Sequence, residues 1–234
     1  MSRPVLLVCG LEVAYLVGLL ACSAVLGALA PDLPGYSVSG PSQSLVLVLV
    51  SAGLLLLGLA VRNRWSFDGF TPQRAWRNLH LYWLPVLLLA VPFAGGIRPL
   101  AGGDVLLLLV VAYAATAVFE EGFWRGVIFG ILRPSGVWQA VLISSLLFGL
   151  GHLGNSALRG ASPLIAAQAF GAGVSGVGLA ALRLHTNTIW PLIAVHFLHD
   201  LFLQMSVLPI PLVEVVVDTI LLIYGVLLVR SASR

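Results

Sequence analysis

Eight nearly continuous apolar runs, each about 20 residues long, dominate this 234-residue chain. They fall at residues 5–28, 44–61, 79–97, 104–132, 137–154, 163–183, 188–207 and 210–229. A run of that length with so few charges crosses a bilayer as a helix, because only a helix satisfies its own backbone in hydrocarbon. A lipid-facing barrel would instead alternate apolar and polar residues in segments of about ten. Hydrophobic residues make up 59% of the chain and charged residues 9%. Mean hydropathy is +1.04. No soluble domain can cover that much apolar surface with so few polar side chains. The expectation is therefore all-α, a polytopic bundle of about eight transmembrane helices.

Turn chemistry separates the runs. Pro31 and Pro34-Gly35 follow the first, Gly95-Gly96 and Gly102-Gly103 flank the third connection, and Pro134-Ser135-Gly136 ends the fourth. Pro209 and Pro211 frame the last link. The first run is too long for a signal-peptide core and reads as a retained span. Residues 1–234 read as one membrane domain, with N-terminal spans over 1–100, core spans over 104–207, and a last span and tail over 210–234.

All twelve basic residues are arginine, which points to a GC-rich, bacterial genome and hence to a bacterial cytoplasmic membrane. With an even number of spans and the amino terminus inside, the inner side holds Arg3, Arg62, Arg64, Arg74, Arg77, Arg133, Arg183, Arg230 and Arg234. The outer side holds Arg98 and Arg159, so the positive-inside rule places both termini in the cytoplasm. The same placement explains the high isoelectric point, and no basic, aromatic-interleaved face for nucleic acid is present. Cys9 and Cys22 lie in one run, about 20 Å apart on a helix, beyond bridging distance.

Two stretches read as packing or anchoring. Trp65, Phe67, Phe70 and Trp76 interleave with arginines over residues 62–78, the composition of a headgroup-level anchor, with a substrate-facing rim as the alternative. Small residues recur four apart in the sixth span (Ala169 and Gly173, Ala172 and Gly176, Gly176 and Ala180), which lets helices approach closely.

Charges inside spans are costly and mark function. Glu120, Glu121 and Arg125 lie within the fourth run. Glu121 and Arg125 are four apart and can pair on one helical face, while Glu120 is turned away by about 100° and left for another role. The fifth run carries His152, and the seventh carries His196 and Asp200 four apart. His199 reads as a packing residue, and Glu12, Glu214 and Asp218 have no partner visible in the sequence. Counted from the inner face, Glu120 lies about 17 Å deep, His196 about 13 Å and His152 about 22–25 Å. That mismatch shrinks if the fifth helix is tilted or begins below the membrane.

Glu120, His152, His196 and Asp200 together suit water activation. A carboxylate can take a proton from water, and imidazoles can hold that water, bind a metal or donate to an oxyanion. His152, His196 and Asp200 would also suit zinc with an open position for water. The spacing leaves metal and metal-free chemistry both open. Rival readings are a serine protease using Ser175 of Gly173-Val174-Ser175-Gly176 with His196 as base, a proton-coupled transporter, and a non-catalytic scaffold or immunity protein.

Glu120-Glu121-xxx-Arg125, Phe148-xxx-His152 and His196-xxx-Asp200, in this order on successive spans, resemble the three motifs of the CAAX protease and bacteriocin-processing (CPBP, or Abi) family of intramembrane endopeptidases. The resemblance covers about residues 114–204. It implies that Glu120 activates the attacking water with His152 helping to hold it, and that Glu121, Arg125 and Phe148 support the site. It gives His196 and Asp200 the task of orienting the centre or stabilising the oxyanion. Many members have asparagine at the last place. Ionised aspartate cannot donate to an oxyanion, so Asp200 shifts the balance toward metal binding or histidine orientation. Members are generally named metalloproteases, so the resemblance admits zinc as a cofactor, and glutamate-activated water without zinc is a second reading of the same architecture. Prenylated CAAX substrates are implied by the name, although in a bacterium a membrane-bound or secreted peptide is the expected partner. Oligomeric state is not readable from these residues.

Overall fold

The computed structural model describes residues 2–29, 41–99, 102–155 and 162–232. The expected turn at Pro31 and Pro34-Gly35, and Arg159 and Arg234, lie outside the described residues. Nine α-helices carry the fold among them: α1 (Arg3–Leu29), α2 (Pro41–Arg62), α3 (Trp83–Leu88), α4 (Gly103–Glu120), α5 (Phe129–Leu132), α6 (Val137–His152), α7 (Pro163–Thr186), α8 (Trp190–Gln204) and α9 (Ile210–Ala232). The polytopic, all-helical expectation is met, and the described residues contain no strand beyond one isolated bridge between Ile97 and Ser206. Both cysteines are free.

Five helical segments are long and apolar enough to cross a membrane: Arg3–Val25, Leu45–Arg62, Gly103–Ser135, Pro163–Thr186 and Ile210–Ala232. The other three expected spans are shorter. Leu79–Phe93 is a chain of 3-10 and α turns, because Pro85 and Pro92 withhold backbone donors. α6 and α8 have 16 and 15 residues. These two are the helices that carry His152 and His196, so both site histidines sit on short spans, while the carboxylates and Arg125 sit on the long Gly103–Ser135 segment.

α7 is the central post, packed along α6 on one side and α9 on the other, while α4 packs against α2 and α8. Small residues set these approaches. A Cβ on Gly149 would lie 2.7 Å from the Ala169 carbonyl oxygen and 3.1 Å from the Gly173 Cα. On Gly176 it would meet Ser145 at 3.1 Å. The packing role read for the sixth span therefore holds at Gly173 and Gly176. A further contact, Gly178 against Gly225 with 2.7 Å to a Cα, joins α7 to α9.

The loop after α2 departs from a simple surface anchor. Phe67 is half exposed, but Asp68, Phe70 and Thr71 are buried. The cause is a stripe of glycines four apart, Gly122, Gly126 and Gly130, on the helix that bears the carboxylates. A Cβ on Gly122 would sit 3.2 Å from the Phe70 ring, one on Gly126 2.7 Å from the Asp68 carbonyl oxygen, and one on Gly130 3.0 Å from Phe67. The loop is then tied down from the other side. Ile189 N–H donates to the Gly69 carbonyl at 3.0 Å, Thr71 Oγ1 to the Asn187 carbonyl at 3.1 Å, and Arg183 Nη2 to the Phe67 carbonyl at 3.3 Å. Gly69, at φ +93°, makes the turn beside Arg183.

Because the contact at Gly126 is with backbone, it cannot yield by a rotamer change. Gly126→Ala is expected to destabilise by about 1–3 kcal/mol through overpacking. Gly53→Ala, with nothing within 4 Å of its Cβ, should melt as the wild type. Thermal unfolding of the two variants in detergent measures the difference, and equal melting temperatures would refute the packed-loop account.

Candidate active site

The helix bearing the carboxylates changes winding at the site. α4 ends at Glu120, and Glu121–Ile128 is a π-helix before α5 resumes. A π turn takes more residues per turn than an α turn and is frequently found at functional sites. Glu120 ends the α-wound stretch and Glu121 opens the π-wound one. Glu120 and Glu121 both reach one histidine. His196 Nδ1 donates to Glu121 Oε1 at 2.8 Å, and its Nε2 lies 3.6 Å from Glu120 Oε2. The expected separation of the two acids is thus only partial: Glu121 is fully buried, and Glu120 keeps 17% exposure of its side chain.

Glu121 also holds Arg125 as expected from their spacing. Arg125 Nη1 donates to Glu121 Oε1 at 3.2 Å, with both side chains essentially inaccessible. The guanidinium carbon lies 3.8 Å from the centre of the Phe148 ring, a cation–π contact in a dry setting. Phe148 in turn meets the rings of His152 at 4.7 Å and His196 at 6.4 Å, both edge to face. One aromatic ring therefore touches three polar members of the site.

His152 is the last residue of α6, and its Nδ1 donates to the Phe148 carbonyl at 2.9 Å. A donating Nδ1 leaves Nε2 as the acceptor of the neutral ring. That Nε2 lies 3.9 Å from Glu120 Oε1, too far for a direct hydrogen bond and within reach of one bridging water. The depth mismatch counted along the sequence is gone, because α6 is short and ends where Glu120 stands. Asp200 joins through His196, whose Nε2 lies 3.6 Å from Asp200 Oδ2.

The other polar groups singled out in the sequence lie away from this centre. His199 faces Glu214, with Nε2 3.4 Å from Oε1, on the side of α8 turned to α9. Ser175 Oγ donates to the Gly171 carbonyl at 3.0 Å, one turn back in its own helix. His196 faces Glu120, Glu121 and Asp200, so the serine–histidine pair needed by the serine-protease reading is not assembled. Asp218 packs against Gly171. Glu12 has a partner that the sequence did not name, the Trp124 indole, which donates from Nε1 to Glu12 Oε2 at 3.0 Å.

His152 and His196 both turn Nε2 toward Glu120, and His196 Nε2 also faces Asp200. Among the described residues no group of three or more histidine, cysteine, aspartate and glutamate side chains is placed to hold a metal ion. His196 presents both ring nitrogens to carboxylates, and His152 has one nitrogen committed to a carbonyl.

Residues missed by sequence reading are Trp124, Tyr15 and the glycines behind the π turn. The signal was available in the four-residue spacing of Gly122, Gly126 and Gly130, which marks a helix face approached by backbone. No curated protein and no solved structure matches the chain. Residues 102–202 match the family model described as Type II CAAX prenyl endopeptidase Rce1-like, so over the stretch that builds this site the chain is similar to the CAAX-type intramembrane proteases, as its three motifs imply.

Proposed function

We propose that the protein is an intramembrane endopeptidase that hydrolyses a peptide bond with water activated by Glu120. The observation that carries the reading is the placing of Glu120 between two imidazoles, 3.9 Å from His152 and 3.6 Å from His196. A water donating to Glu120 Oε1 and His152 Nε2 keeps a lone pair free to attack a carbonyl carbon. As the carbon–oxygen bond forms, Glu120 takes the proton of the water. It returns that proton to the amine nitrogen as the carbon–nitrogen bond breaks. His196 positions the second oxygen of Glu120, and Glu121, Arg125, Phe148 and Asp200 fix His196 and the ring stack in turn.

The substrate class proposed is a membrane-associated peptide, with a prenylated CAAX-type peptide as the first probe. The arginine bias favours an inner bacterial membrane, both termini in the cytoplasm, and cleavage near that face. Purified protein in detergent should cleave a fluorogenic farnesylated CAAX peptide, and Ser175→Ala should cleave it at the wild-type rate. Glu120→Gln should not. The opposite pattern of the two variants would overturn the glutamate reading in favour of serine chemistry. Cleavage should also survive chelation, with metal content followed by elemental analysis. Loss of cleavage that added zinc restores would return His152, His196 and Asp200 to the role of zinc ligands.

A further inference from the structure

We infer that Glu12, on the first span and outside the segment that matches the family model, is a positioning residue for the catalytic centre and acts through the indole N–H of Trp124. The inference rests on the hydrolase reading above. Glu12 sits near the middle of an otherwise apolar helix and is 4% exposed. Its Oε2 accepts from Trp124 Nε1, and among the described residues its Oε1 is buried with no hydrogen-bond partner. A leucine would fill this place in a membrane helix at less cost. The carboxyl is therefore explained by what it holds.

What it holds is a ring next to the site. Trp124 is 1% exposed, precedes Arg125 in the π-helix, and meets the Phe148 ring at 5.2 Å. Phe148 carries the Arg125 guanidinium on its face and both site histidines at its edges. The indole is also wedged against the last turn of α6. A Cβ on Gly151 would lie 2.5 Å from the Trp124 ring and 3.0 Å from Glu12 Oε1. Gly151 immediately precedes His152, so the Glu12–Trp124 pair occupies the space that a side chain there would need.

The first span grips the site helix at a second point. Tyr15, one turn beyond Glu12, packs its ring on Phe119 at 5.2 Å, Phe123 at 5.5 Å and Trp124 at 5.4 Å. Those residues flank Glu120 and Arg125. Elsewhere the α1–α6 interface is open: a cavity of ≈ 450 Å³ lies beside Glu12, walled by leucines of both helices. Ring contacts hold the faces of the indole, and the hydrogen bond fixes which way its Nε1 edge points. Without it the Nε1 edge loses its anchor and the indole tilts within its ring contacts, which shifts the surface that holds Phe148 against Arg125 and His152.

The test uses full-length protein in detergent and the farnesylated fluorogenic peptide, with kcat, KM and melting temperature measured for each variant. Glu12→Gln keeps a carbonyl oxygen for the indole and should retain kcat within about twofold. Glu12→Leu and Trp124→Phe should each lower kcat about 10- to 100-fold with KM little changed, the scale of a misplaced catalytic group. The double variant should be no worse than the poorer single one, since both remove the same bond. A purely structural role would lower the melting temperature and leave kcat per folded molecule unchanged, and that result overturns the inference. So do losses that multiply in the double variant. If Glu12→Leu does not fold, Trp124→Phe and Glu12→Gln decide alone, and wild-type kcat in Trp124→Phe refutes the positioning role. Wild-type cleavage abolished by Glu120→Gln shows that the hydrolase reading stands whatever the Glu12 variants do. A wild-type protein that cleaves no probe removes that reading and this inference with it.

Discussion

Glu120→Gln is expected to lower kcat by about 10²–10⁴-fold, the contribution typical of a positioned general base, while the protein folds and melts much as the wild type does. The substitution preserves size and one carbonyl oxygen, so the contacts at 3.9 Å to His152 and 3.6 Å to His196 survive in shape. What is lost is the ability to take a proton. Glu120 is the more exposed of the two acids, so neutralising it leaves no buried charge without a partner. The loss should fall on kcat with KM little changed, because the interaction removed is one made in the transition state. Residual cleavage near the wild-type rate would mean that water is activated elsewhere, and the proposed role of Glu120 would be wrong.

Arg125→Leu should be far more damaging to the fold. It strands the Glu121 carboxylate, fully buried, with His196 as its one remaining partner among the described residues. Breaking a buried pair by removing one member costs about 3–5 kcal/mol, because the other charge stays uncompensated. The cation–π contact with Phe148 is lost as well. The double change Glu121→Gln with Arg125→Leu removes both charges and should recover most of the melting temperature. It should not recover cleavage, since His196 loses its charged acceptor. Thermal unfolding of the two variants in detergent, paired with the cleavage assay, measures both effects. A single variant as stable as the wild type would show that the pair is not holding the helices, and full activity in the double variant would remove Glu121 from the site.

The contrast between these two acids shows what was legible in the chain. Spacing alone paired Glu121 with Arg125, since four residues make one helical face, and it grouped His196 with Asp200 for the same reason. The apolar runs gave the class, because continuous hydrocarbon-length segments have few solutions. The winding of residues 121–128 was not legible: nothing in Glu-Gly-Phe-Trp-Arg-Gly announces a π turn, and an α-helical count put Glu120 on a separate face. Depth counting failed for His152 on the same principle, because it assumes that every span has full length and stands upright. The loop at 62–78 misled through composition. Tryptophan and arginine do mark the interface, but the glycines that receive the loop lie some 60 residues later, and propensity carries no information about such a meeting. Partners for Glu12 and Glu214 were hidden likewise, each lying on another helix.

The widened turn has one further consequence. A stretch that winds wide holds more residue than its rise requires, and so the register of everything beyond it depends on keeping that surplus. Removing a single amino acid between positions 121 and 128 would let the coil tighten to ordinary pitch. The arginine and the acids would then swing around the axis relative to each other, although every one of them would still be present. In this molecule the count of residues in one short interval governs the geometry as firmly as their identity.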